Sequence, residues 1–166
     1  MTSSKFKDHL GRPIVAVTGM GIITSLGQGI DDNWSALTSG RSGIHGITRF
    51  PTDGLSTKIC GTVDFIDVPV PNSVERSFAF ARETTIEALS QAGINGDFDG
   101  PLFLAAPPVE PEWSARFELA DRSPEAQEPG DAYSRFLSAM RQRPDPAFHE
   151  AALFGSISER LADRFG

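Results

Sequence analysis

Two short uncharged runs bracket a capped helix, and this pattern restricts the chain more than any other feature. The runs are Ile14-Val15-Ala16-Val17-Thr18 and Leu102-Phe103-Leu104-Ala105-Ala106. Each is continuous and lacks polar alternation, which fits a strand buried on both faces in a parallel sheet. Between them, Asn72 is placed to cap a helix, with Glu75 three residues on in capping-box position. Phe78, Ala81, Thr85, Leu89 and Ala92 then recur at helical spacing, and Gly93 is the stop. The spacing predicts a helix over 73–92. Strands alternating with helices give an α/β layered class with a mostly parallel sheet.

The remaining elements are shorter. Residues 1–12 are polar and mixed in charge, and read as a loose arm. Asp31-Asp32-Asn33 can cap a short helix through Trp34, Ala36 and Leu37 that stops at Gly40. Residues 41–54 carry Gly43, Gly46, Pro51 and Gly54 and read as loop, and 58–65 as a strand. Residues 107–131 hold Pro107, Pro108, Pro111, Pro124 and Pro129 among many charges, and read as a variable excursion. A short helix is expected over 132–141. A longer one is expected over 148–165, with Leu153, Ile157, Leu161 and Phe165 at i, i+4 spacing.

Charge and cysteine usage exclude several function classes. Lys plus Arg is 15 and Asp plus Glu is 22, a net charge of -7 that disfavours nucleic acid and anionic membrane surfaces as partners. No apolar run approaches the roughly 20 residues that span a bilayer, and the N-terminus has no apolar h-region. The one cysteine, Cys60, leaves no disulfide framework and no thiolate metal cluster. A cytoplasmic setting is the expectation, with no cofactor and no metal.

The residue chemistry displays no active site. Cys60 lies inside an expected strand with no helix N-terminus beside it, so it reads as a small apolar side chain. His9, His45 and His149 are scattered, and the carboxylates fit solvated faces. Gly19-Met20-Gly21 follows a strand, as a dinucleotide fingerprint does. Thr24 stands where the third glycine would be, and no helix follows at once. The glycines then read as sites of tight backbone packing. Ser25, Ser42 and Ser156 lack the G-x-S-x-G elbow.

A resemblance adds what the chemistry does not. Val15-Ala16-Val17-Thr18-Gly19-Met20-Gly21-Ile22-Ile23-Thr24-Ser25-Leu26-Gly27 resembles the opening strand and turn of β-ketoacyl-[acyl-carrier-protein] synthases. Residues 34–44 are similar to that family's W-x-x-L-x-x-G-x-S-G-I stretch. Ile47-Thr48-Arg49-Phe50, then Ile59-Cys60-Gly61-Thr62-Val63-Asp64-Phe65, then Glu87-Ala88-Leu89-Ser90-Gln91-Ala92-Gly93 follow in the family's order. Leu161-Ala162-Asp163-Arg164-Phe165-Gly166 resembles the end of the helix ahead of the nucleophile strand. The similarity covers most of 13–106 and 148–166.

The resemblance implies a thiolase-like layered fold, α-β-α-β-α in the complete subunit, of which residues 13–166 would form most of the first half. It implies condensation of an acyl thioester with malonyl-carrier protein through a cysteine nucleophile and two histidines, in a homodimer or heterodimer. None of these catalytic residues maps onto this chain: the nucleophile and histidines fall beyond Gly166, and Cys60 matches a position of small residues. A subunit of the same family without the nucleophile, setting chain length, is the alternative, and a stand-alone α/β binding module the third reading.

Where the family has a Gly-rich turn lining the acyl pocket, this sequence has Ala106, Pro107, Pro108 and Val109. Proline fixes φ and removes an N–H donor, so the turn must take another shape. Arg41, Arg49 and Lys58 are the local candidates for docking an acidic carrier protein. A half-fold would also bare its sheet edges and the Leu153, Ile157, Leu161, Phe165 face, which favours association.

Overall fold

The computed structural model describes residues 6–69, 72–106, 112, 118, 131–142 and 146–166. Its helices are α1 (Ile30–Thr38), α2 (Ser73–Gln91), α3 (Ala132–Gln142), α4 (Pro146–Ala151) and α5 (Phe154–Phe165). Two antiparallel hairpins join β1 (Ile23–Thr24) to β2 (Gly27–Gln28), and β3 (His45–Gly46) to β4 (Ile59–Cys60).

Helix α2 forms as its sequence dictates. The Asn72 side chain accepts from the Glu75 N–H at 2.8 Å, which satisfies one donor of the first turn. At the far end Gly93 sits at φ 75, and the Ile94 N–H reaches the Leu89 carbonyl at 2.9 Å. That pairing closes the helix as a Schellman motif. Helix α1 ends the same way: Gly40 has φ 70 and the Arg41 N–H meets the Ala36 carbonyl at 2.9 Å. Its start differs from the sequence reading. The N-cap is Gly29, with no side-chain cap, so Asp31 and Asp32 occupy the first turn, where their charge favours the helix dipole.

The core lies between α2 and α5. Val74, Ala79, Ile157 and Leu161 are buried there, Leu161 to 1% exposure. The expected stripe on α2 is largely half-buried. The carboxylate of Glu75 does not complete a capping box. It takes both guanidinium nitrogens of Arg160 at 2.9 Å each, and that guanidinium stands 3.9 Å from the centre of the Phe78 ring. Both partners are about one-third exposed, so the ion pair contributes at most about 1 kcal/mol. Burying Leu161 contributes about 2–3 kcal/mol. Apolar contact therefore holds α5 on α2, and the ion pair fixes its orientation.

Three expectations are corrected. The helix expected over 148–165 breaks at Ala152 and Leu153, giving α4 and α5; Leu153 precedes α5 as its N-cap residue and is half exposed. The Ile157 and Leu161 part of the apolar face is covered by α2 rather than bare. Residues 14–18 and 102–106 form no ladder, and among the described residues every named ladder is antiparallel. Val15 is 89% exposed, Val17 80% and Phe103 90%. A strand is defined by its neighbours' hydrogen bonds, and among the described residues these runs lack a continuous partner: the Ile14 N–H meets the Phe6 carbonyl at 3.1 Å beside the Lys7–Pro13 bridge, and the pairing goes no further.

The arm also has more order than its composition suggests. Asp8 accepts the Leu10 and Arg12 N–H groups and pairs with the Arg12 guanidinium at 2.7 Å. The Arg12 N–H is the largest influence holding the Asp8 carboxyl below its ordinary range. The 107–111 stretch and most of the excursion lie outside the described residues. No described helix is long and apolar enough to cross a membrane.

Two predictions follow from these contacts. Leu161→Ala should lower stability by about 2–5 kcal/mol in urea unfolding, and Asn72→Ala by about 1 kcal/mol. Equal effects would mean that the α2–α5 contact is not the core. The second concerns Asp131, whose side chain accepts the Ser134 N–H at 2.9 Å, capping α3. That bond above all holds its carboxyl below the ordinary 3.8. A lowered folded value means the cap's contribution is complete above about 3.8 and is lost as pH falls through the lower folded value. Ser134 amide protection, corrected for intrinsic exchange, should fall in that acid window and stay flat in Asp131→Asn.

Candidate functional site

The most constrained part of the surface is the turn that follows residues 14–18. Gly19 and Gly21 lie directly on the α2 backbone. A Cβ on Gly19 would overlap the Ala88 carbonyl and stand 3.0 Å from the Ala92 nitrogen. A Cβ on Gly21 would overlap the Thr84 carbonyl. Ala88 and Thr84 are one turn apart, so the two glycines track one groove of the helix.

Side chains of α2 then take up the amides of this segment. Gln91 Oε1 accepts the Met20 N–H at 2.7 Å. The two oxygens of Glu87 accept the Ile22 and Ile30 N–H groups, each at 2.9 Å. Glu87 thus joins the segment before the β1–β2 hairpin to the first residue of α1.

Asn33 completes the joint. It is 3% exposed; its Nδ2 donates to the Gly27 and Gly29 carbonyls at 2.9 and 2.8 Å, and its Oδ1 accepts from Thr24 Oγ1. A buried amide with its hydrogen bonds filled is held rigidly. The sequence reading placed Asn33 in a cap; the structure places it inside α1, facing back to the hairpin. Ser25, at the hairpin tip, is wedged between Gly43 and Gly61, where Cβ atoms would collide with its side chain. A serine in that position acts as a packing residue.

Two other groupings emerge. The first is a cleft of about 350 Å³ between α2, α5 and residues 98–102, with Leu89, Leu102, Leu161 and Phe165 as its apolar lining. The Thr85 and Ser158 hydroxyls on its wall donate to the Ala81 and Gly155 carbonyls. The second grouping is on the β3–β4 hairpin. His45 Nε2 lies 2.9 Å from Thr62 Oγ1, and that hydroxyl donates to Asp64 at 2.6 Å. The other ring nitrogen, His45 Nδ1, lies 3.1 Å from the Gly46 carbonyl. The trio ties the hairpin to the segment that follows it.

The sequence-predicted site residues are dispersed. Ala106 is half-buried at the end of its exposed run, and Pro107, Pro108 and Val109 lie outside the described residues. Arg41 donates to the Leu26 carbonyl at 2.6 Å, and Arg49 pairs with Glu112 at 2.8 Å, whereas Lys58 makes no such contact among the described residues. Cys60 is free and half-buried, opposite His45 in the β3–β4 register. His9 and His149 are exposed. Among the described residues no group of His, Cys, Asp and Glu is arranged to hold a metal.

Comparison with known proteins accounts for this architecture. Residues 13–101 match the family described as beta-ketoacyl synthase, N-terminal domain. The chain belongs to the β-ketoacyl synthase family. It is 33% identical over 86 residues to a 3-oxoacyl-[acyl-carrier-protein] synthase 2 of Coxiella burnetii, covering 48% of this chain and 21% of the relative. It is 41% identical over 49 residues to the tetracenomycin polyketide synthase ketoacyl synthase beta subunit of Streptomyces glaucescens, covering 30% and 12%. The chain thus spans about a fifth or less of these curated relatives. Among solved structures, the ishigamide ketosynthase/chain length factor superposes with TM-score 0.58 at 24% identity, over 90% of this chain and 36% of that one. Family and fold likeness together imply a thiolase-like fold.

In this chain the Gly19-Met20-Gly21 turn is thus a packing device. Its backbone is covered by α2 and its amides at Met20 and Ile22 are occupied. Gly19→Ala should destabilise by about 3 kcal/mol or leave the chain insoluble. Glu87→Gln, which keeps one acceptor and loses the other, should cost about 1–2 kcal/mol. Titration with dinucleotides or nucleoside triphosphates should give no saturable heat; a saturable signal abolished by Gly19→Ala in a folded variant would overturn the packing reading.

Proposed function

We propose that this chain is the N-terminal portion of a β-ketoacyl-[acyl-carrier-protein] synthase. The complete subunit would condense an acyl thioester with malonyl-carrier protein by decarboxylative C–C bond formation, in fatty-acid or related acyl-chain synthesis. The match of residues 13–101 to the family's N-terminal domain carries this reading. In it, residues 13–166 belong to one ketosynthase domain preceded by the 1–12 arm, with 107–131 as an excursion. The subunit works in the cytoplasm as a dimer, with an acyl carrier protein as partner. Lys58, joined by the outer face of Arg41, is the local docking charge on this acidic chain.

In this reading no residue of the chain carries the chemistry. Nucleophile and histidines belong to parts of the subunit beyond Gly166, and this portion supplies scaffold and the acyl-pocket turn at Ala106, Pro107, Pro108 and Val109. The bare state of residues 14–18 and 102–106 supports the layered α-β-α-β-α arrangement. Both are uncharged and largely apolar, and 14–18 is rich in β-branched residues, the composition of strands interior to a larger sheet.

A second reading is favoured by two of the comparisons. The beta-subunit relative and the ketosynthase/chain length factor neighbour are consistent with a non-catalytic subunit that sets chain length beside an active partner.

Purification of the protein from its native source, with intact mass and hydrogen exchange, tests these readings. A mass well above twice 17.9 kDa, with slow exchange at residues 15–18, is expected. Fast exchange there in both the native protein and the 166-residue chain would remove the layered placement. A cysteine labelled by an acyl-thioester analogue in the native protein supports the enzyme; an unlabelled subunit co-purifying with a labelled one supports the chain-length role. The 166 residues alone should release no CO2 from malonyl-carrier protein. Exchanging Pro107-Pro108 for Gly-Gly in the full-length enzyme should shift the product chain-length profile, and an unchanged profile would reduce the prolines to a loop variant.

A further inference from the structure

No further inference is drawn: the strongest candidate, the pair of exposed apolar segments at residues 14–18 and 102–106, is an unpartnered apolar face, and nothing in the structure shows what covers it.

Discussion

The fold depends on how closely one turn of chain can approach one helix. Gly19 and Gly21 touch the α2 backbone itself, and a single added carbon at either would meet a carbonyl oxygen. Such proximity would ordinarily strand the amides of the turn in a poorly hydrated layer. Two of them, at Met20 and Ile22, are instead taken up by Gln91 and Glu87, and Glu87 also takes the Ile30 N–H of α1. Leaving one such group unpaired costs about 1–3 kcal/mol. Two side chains on α2 therefore decide whether the glycine contact is favourable at all. The hairpin, Asn33 and the start of α1 follow in turn, because Glu87 fixes both ends of the segment that Asn33 ties together.

Helix α2 is loaded on two sides. Thr84, Glu87, Ala88 and Gln91 carry the glycine turn, while Glu75, Phe78, Thr85 and Leu89 look toward α5 and the cleft. The two sides work by different physics. Toward α5, burial of Leu161 and Ile157 dominates and the Arg160 pair, about one-third exposed, adds orientation. Toward the turn, little apolar area is involved, and backbone proximity plus hydrogen bonds do the holding. A helix used in this way needs defined ends, and both are closed by their own residues, Asn72 and Gly93.

The parts legible in the sequence were those fixed by local rules. Helix α2 runs from Ser73 to Gln91 where spacing and caps put it at 73–92, and the Gly40 stop of α1 is equally local. The parts missed depend on partners far along the chain. Glu75 fits a capping box by spacing, yet an arginine 85 residues away takes its carboxylate. His45 falls within a Gly-rich stretch, and only pairing with Cys60 makes it a strand. Asn33 follows two aspartates as a cap residue would, but the carbonyls it satisfies belong to a hairpin with no apolar alternation to announce it. The candidate site was less legible still: Ala106 could be placed, and nothing in composition or periodicity distinguished a pocket turn from any other strand end.

The glycine turn shows why a short motif does not carry function. A glycine after a strand states that something comes too close for a side chain; it does not state what. In a dinucleotide fold the close object is a pyrophosphate at a helix N-terminus. Here it is the middle of a helix, whose carbonyls repel phosphate and whose side chains already hold the turn's amides. The distinguishing residues are Glu87 and Gln91, 65 and 71 positions downstream of the amides they accept. An acidic side chain aimed at the amides of a G-x-G turn is the opposite of what an anion site requires. The same pair lies in the stretch Glu87-Ala88-Leu89-Ser90-Gln91-Ala92-Gly93 that carries the family resemblance. In this chain the segments that carry the resemblance are thus also the segments that pack together, the glycine turn against residues 87–92.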